Sequence, residues 1–397
     1  METFTHQGLV VGRLPTLALP ADARARWREL CGDNPFRRLE WLENWWRAYG
    51  ADASEAGRRC ELFTLVALRE GRIVGVAPWF REYSAAAGHS IRSLGAGGVC
   101  SEYLGLMIAP GYEIAFGEAL AATLSERRAT DRGTQSPAPP WDFLEFKGIR
   151  SDDAAVEALL ARLSAGGCSV HRRRAPPCWR LDLPDTWDDY LGQLSHSHRK
   201  QVRRIERRLF ATGRAVMRRA VDEASLDRGL VILTDLHQRR WERLGQTGCF
   251  ADRRFTTFLC EAARAQLDAG DLSLHWLELD GRPIAAEYHL VSGRAIYAYQ
   301  SGIDPDALGY EPGRMITVAL VRDAIAAGRK TYDFLRGDEP YKAHFRARPL
   351  EMTDIRLAPP TTSARLRETL WLAGDSVKSW LKAGLGRSVP DMLTGTN

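Results

Sequence analysis

The pattern of apolar and polar positions between residues 295 and 342 predicts a strand, a loop, a helix and a second strand, in that order. Residues 295–301 are rich in tyrosine and isoleucine, which favours the first strand. Pro312 suits the first turn of a helix, where its missing N–H costs nothing. Gly328 is suited to end that helix, and residues 331–335 predict a short buried strand. The apolar face of the helix is formed by Met315, Ile316, Ala319, Leu320 and Ile325.

The same periodicities predict further elements along the chain. Helices are expected over 21–30, 153–165, 222–244 and 254–269, and strands over 9–11, 169–174, 178–184, 272–279 and 283–291. A segment rich in proline and small polar residues, 132–140, predicts a surface loop.

Two sequence markers recur in the same order about 200 residues apart. Residues 65–78 and 276–287 each predict a hairpin with a Gly-Arg turn. Further on, Trp141–Leu144 matches Tyr332–Leu335, since each is an aromatic residue followed by Asp-Phe-Leu. We therefore expect an α/β (α+β) fold made of two copies of one unit. Chance similarity between common strand sequences is the alternative.

Length and composition agree with two cores, since the chain has 397 residues and is 45% hydrophobic. The cysteines show neither a C-x-x-C pair nor zinc spacing, which predicts reduced thiols in a cytoplasmic protein without a metal site. No signal peptide is expected, because the first residues lack a basic and an apolar region. No apolar run approaches the roughly 20 residues that span a bilayer.

A glycine-containing loop precedes the helix that begins at Pro312. Backbone N–H groups at a helix N-terminus, together with the helix dipole, favour a phosphate or pyrophosphate. The loop therefore predicts an anion or cofactor site, whose candidate residues are Gly309, Tyr310, Pro312, Gly313 and Arg314.

Residues 199–219 contain nine basic residues and one acidic residue, a charge of about +8 in a protein of net charge +5. At helical spacing these residues form two adjoining basic stripes on a helix over 195–210. A polyphosphate, nucleotide sugar, tRNA acceptor stem or acidic glycan would suit such a surface. The alternative is a solvated face near acidic residues of the fold. The candidate substrate-binding residues here are Arg199, Lys200, Arg203 and Arg204.

His196 and His198 lack a third metal ligand nearby in the sequence.

Several motifs together resemble one family. They are Pro35-Phe36 with Trp41-Leu42 and Trp45, His237-Gln238 with Arg240-Trp241, Gly248 with Phe250, Phe255 with Phe258, Gly309, Pro312-Gly313-Arg314, Tyr332–Leu335, Gly337 and Tyr341-Lys342. This set resembles the BioF2-like or CelD (BcsL) cellulose-biosynthesis acetyltransferases of the GNAT superfamily, which are related to the FemAB aminoacyl transferases. The resemblance covers roughly residues 34–357.

The resemblance implies two tandem GNAT-like units, each a mixed, mostly antiparallel sheet flanked by helices. We expect these units at 1–180 and 181–360, followed by a tail at 361–397. It also implies N-acyl transfer from acyl-CoA (acetyl-CoA) to an amine acceptor, small or linked to a glycan, in exopolysaccharide or cell-envelope biosynthesis. Two alternatives stay open: an aminoacyl-tRNA-dependent transferase, and a non-catalytic accessory protein of polysaccharide synthesis. Exopolysaccharide-synthesis proteins are possible partners.

The candidate catalytic residues are Glu287, Tyr341 and Lys342. Glu287 lies in an apolar strand, where burial would raise its pKa toward that of a general base. It could also simply point outward, and His289 is a second candidate base. The resemblance places Tyr341 and Lys342 at the acceptor side, where Tyr341 could protonate the leaving thiolate and Lys342 could hold an anionic group. A structural role for Tyr341 is the alternative. Direct attack without a covalent intermediate is expected, because no cysteine lies in a nucleophile motif.

Trp241 is a further candidate substrate-binding residue.

Two aromatic or amphipathic segments complete the candidates. Trp41, Trp45, Trp46 and Tyr49 lie near helical spacing, as a sugar- or base-stacking platform or as a buried helix face. Residues 364–385 form a basic amphipathic segment, which would pack on the body or a partner, or dock on a membrane surface.

Overall fold

The computed structural model describes residues 3–50, 59–125 and 141–385. The surface loop predicted at 132–140 lies outside these described residues.

The first half of the chain is rich in strands. Its elements are β1 Thr3–His6, β2 Leu9–Arg13, α1 Ala21–Cys31, α2 Leu39–Trp45 with a π-helical turn Trp46–Gly50, β3 Arg59–Leu62, β4 Leu65–Arg69, β5 Arg72–Ala77, β6 Trp79–Ser84, β7 Gly88–Ser93, β8 Met107–Ile108, α3 Glu113–Ser125, β9 Phe143–Arg150, α4 Ala154–Ala165 and β10 Ser169–Asp182.

The second half contains longer helices between its strands. Its elements are α5 Trp187–Gln193, α6 His196–Ile205 with a π-helical turn Glu206–Phe210, β11 Ala215–Arg219, α7 Glu223–Arg243, α8 Arg253–Asp268, β12 Leu272–Leu279, β13 Arg282–Ser292, β14 Ala295–Ile303, α9 Pro312–Ala326, β15 Thr331–Arg336, α10 Tyr341–His344, β16 Arg348–Ala358 and α11 Thr362–Leu385.

Local sequence explains where the helices begin. Asp222 and Ser225 form a reciprocal capping box at the start of α7. Asp153 accepts a hydrogen bond from the backbone N–H of Val156 and so caps α4. Pro312 takes the first position of α9, as its fixed φ favours.

The strands form a sheet of five, in the order β1-β2-β4-β5-β8, and a sheet of eleven, in the order β11-β12-β13-β14-β15-β10-β16-β9-β7-β6-β3. In the second half a hairpin (β12–β13), a third strand (β14), a helix (α9) and a parallel strand (β15) follow one another. The first half repeats this succession with β4–β5, β8, α3 and β9, since β5 pairs with β8 directly before α3, although β8 and β9 lie in different sheets. The predicted α+β fold of two tandem units is therefore confirmed.

The two halves exchange strands at the centre of the large sheet. Strand β10 lies between β15 and β16, and β16 in turn pairs with β9 of the first half. The two strands expected over 169–174 and 178–184 are one strand, with an irregular register between Ala175 and Cys178. The expected boundary between residues 180 and 181 falls inside strand β10. The division into units 1–180 and 181–360 stays a prediction.

Two large hydrophobic clusters pack on opposite faces of β12–β14. One contains Trp41 and Phe258 with Tyr288 of β13, beneath α7 and α8. The other contains Met315 of α9 with Ala285 of β13, among other residues. Successive side chains on β13 therefore point to different cores, as the pleat requires.

The tail begins as a helix that packs on the body. Ala364 is buried, and Trp371 lies between the guanidinium groups of Arg173 and Arg356, at 4.4 and 4.3 Å from its ring centroid. Leu366 and Leu370 are exposed on the same helix. Within the described ranges, no helix has the length and hydropathy needed to span a membrane.

Candidate functional site

Strands β14 and β15 are hydrogen-bonded over only part of their length. Their parallel pairing runs from Ala295–Thr331 to Tyr297–Asp333 and then stops. Beyond that point β14 continues beside β13 as far as Ile303, while β15 continues beside β10 to Arg336. The facing backbone edges beyond Tyr297 and Asp333 therefore leave an opening between the strands.

The loop predicted to bind an anion forms the start of α9, which follows β14. A 3₁₀ turn, Leu308–Tyr310, leads to Glu311, whose backbone is left-handed with φ of 56°. Gly309 is exposed, with open space where a Cβ would lie, and Tyr310 is 49% exposed. A Cβ on Gly313 would lie 2.9 Å from Ile303 Cδ1, so this glycine permits close packing of the helix on β14.

Glu311 joins this loop to the basic helix α6. Gln201 Nε2 donates to its two carboxylate oxygens at 2.9 and 2.8 Å, and the Arg204 guanidinium lies 3.7 Å away. Arg314 also pairs with Glu311. The structure thus brings two predicted sites together, although a carboxylate occupies part of the space between them.

The predicted basic residues of α6 differ in how far their charged groups are available to a ligand. Arg199 donates to the carbonyl oxygens of Gly192 and Leu194, so it serves the backbone that precedes the helix. Lys200, Arg203, Arg207 and Arg208 are exposed, and none forms an ion pair with an acidic side chain of the described residues. We name these four residues the basic strip.

Glu287 lies on β13 in a buried polar cluster rather than pointing into solvent. His289 Nε2 lies 2.8 Å from Glu287 Oε2, and the hydroxyl of Thr317 on α9, which donates to the Gly313 carbonyl at 2.8 Å, lies 3.2 Å from Oε1. The Tyr332 hydroxyl is 3.4 Å from Oε2 and 3.1 Å from His289 Nε2. Glu287 is 8% exposed, and its register partner on β14 is Ser301, in the part of β14 that is no longer paired with β15.

Tyr341 lies near this carboxylate. The packing around its hydroxyl raises the pKa of Tyr341, and the negative charge of Glu287 adds to the shift. The residue as a whole remains 44% exposed, so part of the ring faces solvent. This geometry is suitable for a phenol that stays protonated at neutral pH beside a candidate base.

Lys342 does not fit the role predicted from the sequence. It is 2% exposed, and its Nζ donates to the backbone carbonyls of Leu335, Arg336 and Gly337 at 3.1–3.3 Å. Nζ also lies 2.9 Å from Glu339. Because its N–H donors already have acceptors, Lys342 clamps the end of β15 instead of holding an anionic substrate group.

Trp241 lies at the end of α7, where its indole N–H donates to His237 Nε2 at 2.9 Å. His237 is buried, and burial lowers its pKa to about 4. Trp241 is thus positioned by the histidine one helical turn before it, and its predicted contact with substrate stays a prediction.

A second buried acidic cluster, which the sequence analysis missed, lies at the end of β15. Tyr103 donates to Asp333 at 2.8 Å, and Arg336 pairs with Glu102 at 2.6 Å. Burial raises the pKa of Asp333 to about 6 and that of Glu102 to about 7. The aspartate within an apolar strand was the available signal, whereas its partners come from over 200 residues away.

The histidines at the start of α6 do not form a metal site with neighbouring groups. The ring of His198 lies 4.5 Å from that of His344, and His196 is exposed. In the part of the chain that the structure describes, no group of three or more potential ligands is arranged to hold a metal ion.

Residues 196–343, from α6 to α10, match the family model described as the acetyltransferase (GNAT) domain. No curated protein matches the sequence. The crystal structure of FemX aligns with 89% of this chain and 97% of its own, at 13% identity and a TM-score of 0.57. L-PGS from Bacillus licheniformis aligns with 93% of this chain and 99% of its own, at 11% identity and a TM-score of 0.48.

A tandem GNAT protein from the clavulanic acid biosynthesis pathway aligns with 88% of this chain and 98% of its own, at 12% identity and a TM-score of 0.45. The BioF2-like or CelD part of the sequence resemblance stays a prediction. Over residues 196–343 the chain is therefore similar to GNAT acetyltransferases, and over most of its length it shares the fold of FemX.

Proposed function

We propose that this chain is an N-acyltransferase that moves an acyl group from acyl-CoA, with acetyl-CoA as the simplest donor, to an amine. The observation that carries the proposal is the opening between β14 and β15, with the start of α9 following β14 and Glu287 buried one strand away. The similarity of residues 196–343 to GNAT domains agrees with it.

The opening suits the arm of a thioester donor. Backbone N–H and C=O groups on a strand edge without a partner strand can pair with an extended ligand that carries amides. Pantetheine is such a ligand, and its pyrophosphate would then lie toward Gly309 and the first turn of α9.

In the proposed reaction the amine nitrogen attacks the thioester carbonyl, the new C–N bond forms and the C–S bond breaks. Glu287 accepts the proton that the amine loses, and Tyr341 donates a proton to the departing thiolate. A covalent cysteine intermediate is disfavoured, because burial raises the pKa of Cys249 to about 12 and thiols of high pKa are poor nucleophiles at neutral pH.

Gly309 offers a direct test of the donor site. Gly309→Asp places a carboxylate in the 3₁₀ turn just before α9 without a steric clash, because nothing lies within 4 Å of a Cβ there. We expect acetyl-CoA affinity, measured by calorimetry, to fall roughly 3- to 30-fold, and Gly309→Asn to have a smaller effect. Equal affinity in both variants and the parent would show that the donor does not bind at this loop.

The basic strip favours a second candidate, a transferase that uses aminoacyl-tRNA. Its four exposed cations have no acidic partner among the described residues, and the overall fold is that of FemX. Binding of tRNA with a steep salt dependence, together with no binding of acyl-CoA, would select this candidate. Donor binding without turnover on any amine would instead indicate an accessory role.

The pathway and location are part of the proposal. The sequence resemblance supports an acceptor in exopolysaccharide or cell-envelope biosynthesis, with proteins of that synthesis as partners. The cysteines are recorded as reduced in the structure, which supports a cytoplasmic location. The exposed leucines of α11 would permit peripheral contact with a membrane surface.

A further inference from the structure

A cavity of about 550 Å³ lies over the first half of the large sheet. Its floor crosses β16, β9, β7 and β6, and its walls come from the π-helical turn after α2, the loop at 96–98 and the start of α8. This volume lies within the roughly 300–1,000 Å³ typical of small-molecule sites. Arg336, at the end of β15, also lines the cavity, so the cavity reaches the strand that borders the donor opening.

The floor of the cavity is strongly polar but balanced in charge. Four basic and four acidic side chains line the cavity as a whole, including Asp252 and Arg254 at the start of α8. Arg92 pairs with Glu82 at 2.8 Å and with Glu145 at 2.6 Å, and Lys147 pairs with Asp354 at 2.9 Å. A charged ligand would compete with these internal partners, whereas hydroxyl groups can donate to the carboxylates and accept from the cations simultaneously. The floor therefore favours a neutral ligand rich in hydroxyl groups.

The opposite wall is aromatic. The rings of Trp45 and Tyr49 stack with centroids 5.8 Å apart and planes at 18°, and Phe80 lies 5.0 Å from Trp45. Flat rings beside polar groups suit a molecule with one apolar face and a polar rim, such as a pyranose.

Two donors in this wall lack acceptors. The Trp45 indole N–H and the Tyr49 hydroxyl are buried, and neither has a hydrogen-bond partner among the residues that the structure describes. Buried polar groups are normally paired, so an acceptor from outside the protein is the expected partner. The Tyr49 hydroxyl stays protonated, since burial and then Asp252 raise its pKa to about 12.

We propose that this cavity binds a neutral sugar ring, with the aromatic wall against its apolar face and the ion-paired floor against its hydroxyl groups. In this arrangement the sugar is part of the acyl acceptor, an identification that rests on the proposed function. The binding itself does not depend on it, because no donor takes part.

The test compares the parent with Tyr49→Phe, which removes an unpartnered hydroxyl and keeps the ring. Tyr83→Phe is the matched control, because Tyr83 is on β6 and does not line the cavity. Calorimetry and saturation-transfer NMR would measure binding of tetramers of glucose, N-acetylglucosamine and mannose, with a galacturonate tetramer as the anionic comparison. Unfolding of each variant in urea shows that the fold is kept.

At least one neutral tetramer is expected to bind the parent, with roughly 3- to 10-fold lower affinity for Tyr49→Phe, the loss typical of one hydrogen bond. Tyr83→Phe should bind like the parent. No binding of any neutral tetramer, stronger binding of the galacturonate tetramer, or equal affinity in Tyr49→Phe would each overturn the proposal. Thiol release from acetyl-CoA is measured separately, so a failed sugar test and a failed acyltransferase assignment remain distinct results.

Discussion

Nε2 of His289 lies 2.8 Å from Oε2 of Glu287, in a pair whose side chains are both buried. Nδ1 of His289 has no hydrogen-bond partner among the described residues. The geometry therefore assigns the ring proton to Nε2, from which it is donated to the carboxylate. His289 is thus a positioning residue that, with Thr317, fixes Glu287 within the apolar sheet.

Glu287→Gln should lower the rate of acyl transfer on the order of 10²–10⁴-fold, the range of a general base. Donor affinity should be unchanged, because the base acts mainly in the transition state. Thiol release from acetyl-CoA with a panel of amines gives the rate, and calorimetry gives the affinity. Glu339→Gln, at an exposed carboxylate, is the control. An unchanged rate in Glu287→Gln would assign the base elsewhere.

Lys342→Met should destabilise the fold by about 2–4 kcal/mol, because buried carbonyl groups at the end of β15 lose their donor. Urea unfolding measures this loss. Lys330→Met, at a partly exposed lysine paired with Asp185, should cost under about 1 kcal/mol. A Lys342→Met protein of parental stability that has lost only turnover would restore the catalytic role predicted from the sequence.

Acid should destabilise the protein through His237. Its pKa is about 4 when folded and about 6.5 when unfolded, so between these values only the unfolded state binds the proton. Its contribution is complete above pH 6.5 and falls by about 2 kcal/mol at pH 5. His237→Gln should remove that part of the difference in unfolding free energy between pH 7 and pH 5. His196→Gln, at an exposed site, should keep it; identical pH dependence in both variants would contradict the assignment.

The basic strip should contribute to the binding of polyanions and little to the free energy of unfolding. Replacing Lys200, Arg203 and Arg207 with Gln should make the slope of log affinity against log salt shallower by about 2–3 for a bound nucleic acid. The unfolding free energy should change by less than about 1 kcal/mol, since these cations are exposed. Arg172→Gln, which breaks an exposed pair with Glu157, is the control. An unchanged slope would show that the strip is only a solvated surface.

Local patterns predicted much of the second half of the fold. The apolar periodicity after Pro312 gave α9 to within a few residues, and alternation in 272–301 gave β12 to β14. These elements follow from short-range geometry, which a single sequence displays. The exchange of β10 and β16 depends instead on pairing between distant segments, so neither strand's neighbours were foreseen.

The candidate site was less accessible to sequence reasoning than the fold. Glu287 was identified because a carboxylate in an apolar strand is costly without partners. Lys342 was misjudged, because a lysine after a polar turn is ordinarily exposed, whereas here backbone carbonyls surround it. The pair of Glu102 and Arg336 joins residues 234 positions apart, a relationship that no local pattern records.

The exchange of β10 and β16 has a consequence for motion. Hinge closure requires a few residues that rotate freely between two bodies. Here the backbone ladder β15-β10-β16-β9 runs continuously from one half to the other, and a rotation between the halves would break its hydrogen bonds. For the proposed transferase, a continuous ladder means that substrates enter and products leave through local rearrangement of loops and side chains rather than by rotation of one half against the other.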